Sequence, residues 1–381
     1  MKNKKVKNFK IAMIGHKRIP SREGGVEIVV EELSKRMVKR GCTVHTYNRK
    51  GHHVSGKEYS KIENKLKEYE GIKLIRVPTI EVKGLAALSS SIFATIRALF
   101  GKYDVIHFHA EGPCAMLWLP HLFGIRTIAT IHGLDWQRAK WGKFAVAYLK
   151  LGEIIAAKYA DEVIVLSKNV QQYFLDVYGR ETKFIPNGIQ KPKKLEADEI
   201  KKRWNIEKDQ YMLFLGRIVP EKGIQYLIDA FKQIKTTKKL VIAGGSSDTE
   251  GFMKAIKEKV KDDDRVIFTG FVEGKILEEL YSNAYIYILP SDLEGMPISL
   301  LEAMSYGNCC VVSDIPECTE VIEDKGIVFE KGSVDNLREV LQRCISDASK
   351  IEKYKSQASE FITNKYNWDE VVVQTFELYR R

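Results

Sequence analysis

The chain has 381 residues, 44% of them hydrophobic, enough for sizeable cores and too many for a disordered polymer. Its net charge of +11 is uneven: residues 1–190 hold 32 Lys and Arg against 17 Asp and Glu (+15), and residues 191–381 hold 29 against 33 (−4). A basic first half calls for an anionic partner; no basic–aromatic pattern or helix-turn-helix unit accompanies it, so an anionic membrane surface or phosphorylated lipid is expected and nucleic acid is not.

Residues 9–15 read as a first strand ending in Gly15, with no apolar signal-peptide core before it. A loop holding Arg18, Arg22, Gly24 and Gly25 leads into a helix at about 26–40. The paired glycines let backbone approach a ligand beside the helix N-terminus. The loop is neither G-x-G-x-x-G nor a P-loop. Strands are expected at 42–47, 73–77, 104–108, 126–131, 162–166 and 183–185, with helices between most of them, which argues for a parallel sheet covered on both faces. The segment 85–100 is too short and polar to span a bilayer. Its Leu85, Leu88, Ile92, Ile96 and Leu99 fall at helical spacing and are expected to face the core, with an interfacial helix on the membrane surface as the alternative. His109 and Glu111 close one strand, and His132 and Asp135 follow another. No third residue completes a metal set with His109 and Glu111, so they read as acceptor-side or structural. The six cysteines form no C-x-x-C pair and are expected to be reduced and buried.

Pro186-Asn187-Gly188 is a strong turn, and a charged linker follows. A second α/β series begins at residue 212, with strands at 212–215, 239–243, 265–268, 285–289, 309–312 and 326–329. The tail from residue 350 is helical, with Trp368 midway. Two such units imply a ligand crevice between them, facing the strands' carboxyl ends. On one loop after the first strand of the second series sit Gly216, Arg217 and Lys222, two cations placed to grip a diphosphate. After the apolar run 284–289 comes Ser291-Asp292-Leu293-Glu294-Gly295-Met296-Pro297, then a helix containing Glu302 and closed by Gly307. Glu302 is flanked by Leu300, Leu301, Ala303 and Met304 and is expected to face inward. A buried carboxylate needs a partner, and ribose hydroxyls would supply one.

Glu294 and Glu302, seven residues apart, resemble the E-x7-E motif of retaining nucleotide-sugar glycosyltransferases of family 4. Gly216-Arg217 with Lys222-Gly223 resembles the G-R-x-x-x-x-K-G signature of the same family. The resemblance covers almost the whole chain. It implies an α/β fold of the GT-B type, with two Rossmann-like domains and a crevice between them. Residues 1–190, with a crossing helix at about 365–381, would bind acceptor; residues 191–364 would bind the nucleotide sugar. It implies that Glu302 holds the ribose, that Glu294 and His132 lie by the donor sugar, and that Arg217 and Lys222 neutralise the departing diphosphate. Gly24, Gly25, Gly216, Gly244, Phe271, Val272, Gly295, Met296 and Pro297 would line the donor, while Arg18, Arg22, His109, Glu111 and Asp135 are acceptor-side candidates. No metal and no cofactor are expected, since protein cations replace a divalent ion.

The opening residues 14–32 and the stretch His109-Ala110-Glu111-Gly112-Pro113 resemble the rhamnosyltransferase-like branch, although a smaller residue would be usual at Arg18. That implies transfer of L-rhamnose from dTDP-L-rhamnose to a polyprenyl-diphosphate-linked saccharide in bacterial surface polysaccharide synthesis, by a cytoplasmic protein peripheral to the inner face of the cell membrane. The alternatives are a UDP-hexose or UDP-N-acetylhexosamine transferase, a sugar-nucleotide 2-epimerase, or a partner subunit that binds nucleotide without turnover.

Overall fold

Short apolar runs rich in Val, Ile and Tyr become buried parallel strands in both halves of the chain. The computed structural model describes residues 9–50, 66–80, 82, 85–138, 141–246 and 249–381. Two units emerge: the described residues up to Gly188 with Trp368–Arg381, and Ile189–Asn367.

The first unit holds β1 (Lys10–Ile14), β2 (Thr43–Arg49), β3 (Glu68–Tyr69), β4 (Ile72–Val77), β5 (Val105–His109), β6 (Arg126–Ile131), β7 (Glu162–Val165) and β8 (Lys183–Phe184). Their order is β3-β4-β2-β1-β5-β6-β7-β8, parallel except for the short β3, which pairs antiparallel to β4 and has no counterpart in the sequence reading. The chain winds outward from β1 through β2 to β4, then returns to the other side of β1 as β5. The switch point therefore lies between β1 and β5. The second unit holds β9 (Tyr211–Leu215), β10 (Lys239–Ala243), β11 (Val266–Gly270), β12 (Ile286–Leu289), β13 (Cys310–Ser313) and β14 (Ile327–Phe329), in the order β11-β10-β9-β12-β13-β14, all parallel. Its switch point lies between β9 and β12. Open α/β sheets bind ligands at the carboxyl ends of strands flanking such a point.

The helix Leu85–Leu99 departs from its expected orientation. It buries Ser89, Ser90, Ser91, Ala94, Thr95 and Ala98, while Leu85, Phe93 and Ile96 are exposed. Small side chains let the helix lie close, and its hydroxyls bond back to the preceding turn, as Ser91 Oγ does to Ala87 O (2.7 Å) and Thr95 Oγ1 to Ser91 O (2.8 Å). Polar side chains satisfied in this way can be buried at little cost, so apolar spacing alone misassigns the face.

The helix Trp368–Arg380 completes the first unit. Tyr379 OH and His107 Nδ1 share a 2.7 Å hydrogen bond, Arg126 Nε donates to Leu378 O (2.8 Å), and Phe9 packs its ring against Phe376 and Tyr379. Gly188 lies against Trp368, where an added Cβ would come within 2.5 Å of the indole. All six cysteines are buried free thiols.

Candidate functional site

In the second unit, the switch point gathers the residues that the motifs singled out. Gly216 directly follows β9 and donates its N–H to Ala243 O (3.0 Å). Gly244, at φ 140°, lies so close that a Cβ there would stand 1.8 Å from Gly216 O. Gly244 N–H in turn donates to Gly270 O (2.9 Å), so three neighbouring strands end on interlocked glycines. Arg217, half-buried, starts the loop. The short 3-10 turn Pro220–Lys222 then closes on Gly223, which has φ 66° and no room for a Cβ, because Pro290 O would be 1.8 Å away. That approach brings the turn against the loop following β12. Asp292 N–H donates to Glu221 O (2.9 Å), and Lys222 Nζ pairs directly with Glu294 Oε1. Ser291 Oγ donates to the same oxygen (2.6 Å). Both members of the ion pair are largely buried, with side-chain exposures of 13% and 9%, so solvent screens it little.

Glu302 lies on the helix Ile298–Ser305, which starts just after Pro297 and is followed by Gly307 at φ 78°. It is half-buried and accepts from Tyr281 OH (3.2 Å), whose ring stacks on Tyr306. Tyr287 OH donates to Ser299 Oγ (2.9 Å) on the same helix turn. Phe271 and Val272 follow β11 and are half-buried, and Met296 is buried. Ser291, Tyr281 and Tyr287 have no signature of their own in the sequence. Their partners are 3, 21 and 12 residues away, and only the fold brings them together.

In the first unit, Gly24 caps the helix Gly25–Lys39. Glu27, in the first turn, accepts from Lys17 N–H (2.7 Å), and a Cβ on Gly24 would meet Glu27 Oε2 at 2.4 Å. Burial alone pushes the Glu27 carboxyl upward; the charge and N–H of Lys17 outweigh it and hold the group below its ordinary range. Asn48 ties the loop to β2, accepting from Ile19 N–H (3.3 Å), donating to Ile19 O (2.9 Å) and meeting His16 Nε2 (2.9 Å). Arg18 is buried and Arg22 exposed.

Three histidines cluster with their rings tilted to one another. His109 Nδ1 and His132 Nε2 are 3.1 Å apart, and His107 lies beside His109 with ring centroids at 4.1 Å. His107 Nε2 also contacts Thr130 Oγ1 (2.7 Å). Burial lowers the His132 pKa to about 4 against the upward pull of Asp135 and Glu27, so the ring is neutral at physiological pH. His109 and Glu111 are fully buried, while Asp135 is half-buried and paired with Arg138 (2.8 Å). Among the described residues, no three His, Cys, Asp or Glu side chains stand together as a metal site, and no helix is long and apolar enough to cross a membrane.

Two family profiles match, each on one unit: Glycosyltransferase Family 4 over residues 23–191 and Glycosyl transferases group 1 over residues 196–361. An uncharacterised glycosyltransferase of Methanocaldococcus jannaschii is 27% identical over 98% of both chains. The GDP-mannose-dependent α-(1-6)-phosphatidylinositol monomannoside mannosyltransferase of Mycobacterium tuberculosis is 23% identical over 95% of this chain and 96% of its own. Among solved structures, sucrose-phosphate synthase from Thermosynechococcus elongatus superposes with a TM-score of 0.80 at 22% identity, covering 98% of both chains. Anabaena HepE in complex with UDP and glucose gives 0.79 at 18% identity, covering 97% of this chain and 98% of its own. With one matched profile on each parallel-sheet unit and relatives of this kind along its whole length, the protein is a glycosyltransferase of the GT-B type.

Proposed function

We propose that the protein is a retaining, metal-independent transferase that moves a sugar from a nucleoside diphosphate to a lipid-linked saccharide at an anionic membrane surface. The observation that carries this reading is the Lys222–Glu294–Ser291 cluster at the switch point of the second unit, with Glu302 on the next helix. Arg217 and Lys222 take up the charge of the departing diphosphate, the largest charge to develop in the transition state. Glu302 accepts from the ribose hydroxyls. Glu294 aims Lys222 and lies by the donor sugar. Attack comes from the face that the diphosphate leaves, and a donor phosphate oxygen takes the acceptor proton. No side chain then has to serve as a strong base.

A lipid-linked acceptor is supported by the surface of the first unit. Leu85, Phe93, Ile96, Phe100, Trp118, Leu122, Phe123, Phe144, Leu151 and Ile154 are exposed on or beside three helices, of which Trp118–Leu122 touches both Leu85–Leu99 and Lys143–Tyr159. The exposed charges of residues 85–102, 115–126 and 143–160 are Arg97, Lys102, Lys143, Lys150 and Lys158, all positive, and the one carboxylate there, Glu153, is buried. Exposed apolar residues on segments whose own exposed charges are all cationic suit an anionic bilayer. L-Rhamnose from dTDP-L-rhamnose is the donor favoured by the first loop and the His109–Pro113 stretch. The mannosyltransferase relative makes GDP-mannose the first competitor.

The test is to incubate purified protein with a polyprenyl-diphosphate-linked saccharide and dTDP-L-rhamnose, GDP-mannose or UDP-hexoses, with and without EDTA. Transfer from dTDP-L-rhamnose that survives EDTA, with the anomeric configuration kept, is expected. Product from another donor only would replace the sugar, and loss with EDTA plus rescue by Mn²⁺ would overturn the metal-free mechanism. Conversion of the donor without any acceptor would favour the epimerase.

A further inference from the structure

We propose that Glu111 is a positioning residue that works as a neutral acid: it shares its proton with Glu153, and this carboxylic acid–carboxylate pair fastens the loop carrying His132.

Both side chains have 0% exposure. They meet because the helix Lys143–Tyr159 approaches the turn after β5 at Gly152, where a Cβ would stand 1.9 Å from Glu111 O. Glu153 follows at once, and its carboxyl is in contact with that of Glu111. The available donors are divided one-sidedly. Glu153 accepts from Tyr173 OH (2.7 Å), Tyr178 OH (2.5 Å) and Trp136 Nε1 (3.1 Å). No side chain donates to either Glu111 oxygen, only the Trp136 backbone N–H pulls weakly on the group, and no cation pairs with either carboxyl among the described residues. Two ionised carboxylates side by side in such a place would repel each other without compensation. One proton resolves this: Glu153, with three donors, keeps the charge, and Glu111 keeps the proton and donates it.

Burial first, then the charge of Asp135, then contact with Glu153 hold the Glu111 carboxyl far above its ordinary range. The other titratable groups around the pair are Asp135 from the loop, Tyr173 and Tyr178 from the helix Lys168–Tyr178, Tyr148 from the helix of Glu153, and Cys114 from the turn of Glu111. Burial raises Cys114 and the three tyrosines, so none of these four adds charge near neutrality. Asp135 remains paired with Arg138.

The mechanical consequence runs through Trp136. This residue sits in the 3-10 turn Asp135–Gln137, four residues after His132, with Lys150 Nζ 4.1 Å from its ring centroid. Its indole N–H reaches Glu153 only while the pair is intact. What His132 does depends on the transferase reading; the protonation of Glu111 does not.

The experiment compares wild type with Glu111→Gln and Glu111→Ala. Gln has the shape and the neutral donor of the protonated acid. In wild type the unfolded chain releases the Glu111 proton at the ordinary carboxylate pKa while the native state retains it, so native stability falls as pH rises above that value. The Tm of Glu111→Gln should therefore gain on wild type steadily from pH 5 to pH 9. In ¹³C-carboxyl spectra, wild type should show one protonated glutamate at pH 7 that Glu111→Gln lacks. Imidazole resonances of His132 should be kept in Glu111→Gln and broadened in Glu111→Ala. A pH-independent Tm gap, or the absence of the protonated carboxyl, would overturn the shared proton. His132 signals unchanged in Glu111→Ala would overturn the positioning role. If Glu111→Ala fails to fold, Glu153→Gln replaces it, since two neutral groups leave Trp136 without its charged acceptor. No arm needs a sugar substrate, so failure here is separate from failure of the transferase assignment.

Discussion

Lys222 and Ser291 both reach Oε1 of Glu294, so the cation is aimed by the same carboxylate that the E-x7-E motif picks out. Removing either partner of a largely buried pair leaves the other uncompensated. Lys222→Ala should lower kcat by on the order of 10²-fold, the scale for losing one preorganised charge-stabilising donor. Because the two residues act as a unit, Lys222→Ala with Glu294→Gln should be little worse than the worse single variant. Effects that multiply fully in steady-state kinetics would show that the residues act independently. Glu302 stands apart from this unit, held by Tyr281. Glu302→Gln should weaken nucleoside diphosphate binding by roughly 1–3 kcal/mol, as read by calorimetry, the cost of spoiling a charged hydrogen bond. The glutamates and cations were legible in the sequence because their chemistry is rare beside a strand end. The residues that hold them were not: Tyr281 and Tyr287 look like ordinary core aromatics until the fold places their hydroxyls. Glu153 was equally hidden, because nothing local distinguishes it from any other helical glutamate.

Among the elements, strands were the most legible. Among the described residues, each of the 13 parallel strands coincides with a strand read from the sequence to within a residue or two, because burial on both faces leaves most of them little room for polar positions. The two-residue β3 carries no such signal. The helix Leu85–Leu99 was misread, since the stripe that packs inward is made of serine, threonine and alanine. Glycines give the elements their sharpest test. Gly223→Ala would place a Cβ 1.8 Å from Pro290 O at a positive φ, and should cost at least about 2 kcal/mol in denaturant unfolding. Gly251 lies in the helix Glu250–Glu258 with nothing within 4 Å of an added Cβ. Gly251→Ala should stabilise by about 0.5–1 kcal/mol. Equal effects at the two positions would mean that contact with the neighbouring loop does not constrain Gly223.

For the whole molecule, the decisive quantity is the opposition of +15 in residues 1–190 and −4 in residues 191–381. Charge alone predicts long-range attraction to anionic vesicles that weakens as salt shortens the screening length. The exposed aromatic residues predict a second component that salt does not remove. Phe93→Ser with Phe100→Ser and Phe123→Ser should abolish the salt-resistant fraction in vesicle co-sedimentation while sparing the low-salt fraction. If the triple variant binds as wild type does at every salt concentration, the apolar face has no part in membrane contact. The overall division into two units was legible, because the strand–helix alternation restarts after Gly188. Which sugar travels was not, because donor choice rests on a few side-chain shapes that no spacing rule encodes.

The docking of Trp368–Arg380 onto the first unit has a consequence for the order of events during synthesis. His107, Arg126 and Phe9 emerge from the ribosome long before Tyr379 and Leu378, their partners, which follow the entire second unit. The early unit must therefore wait, with its seat for the late helix open and part of its apolar surface uncovered, until translation has passed the second unit. Folding by halves is only provisional here, and this waiting interval is when the nascent chain is most in need of a chaperone.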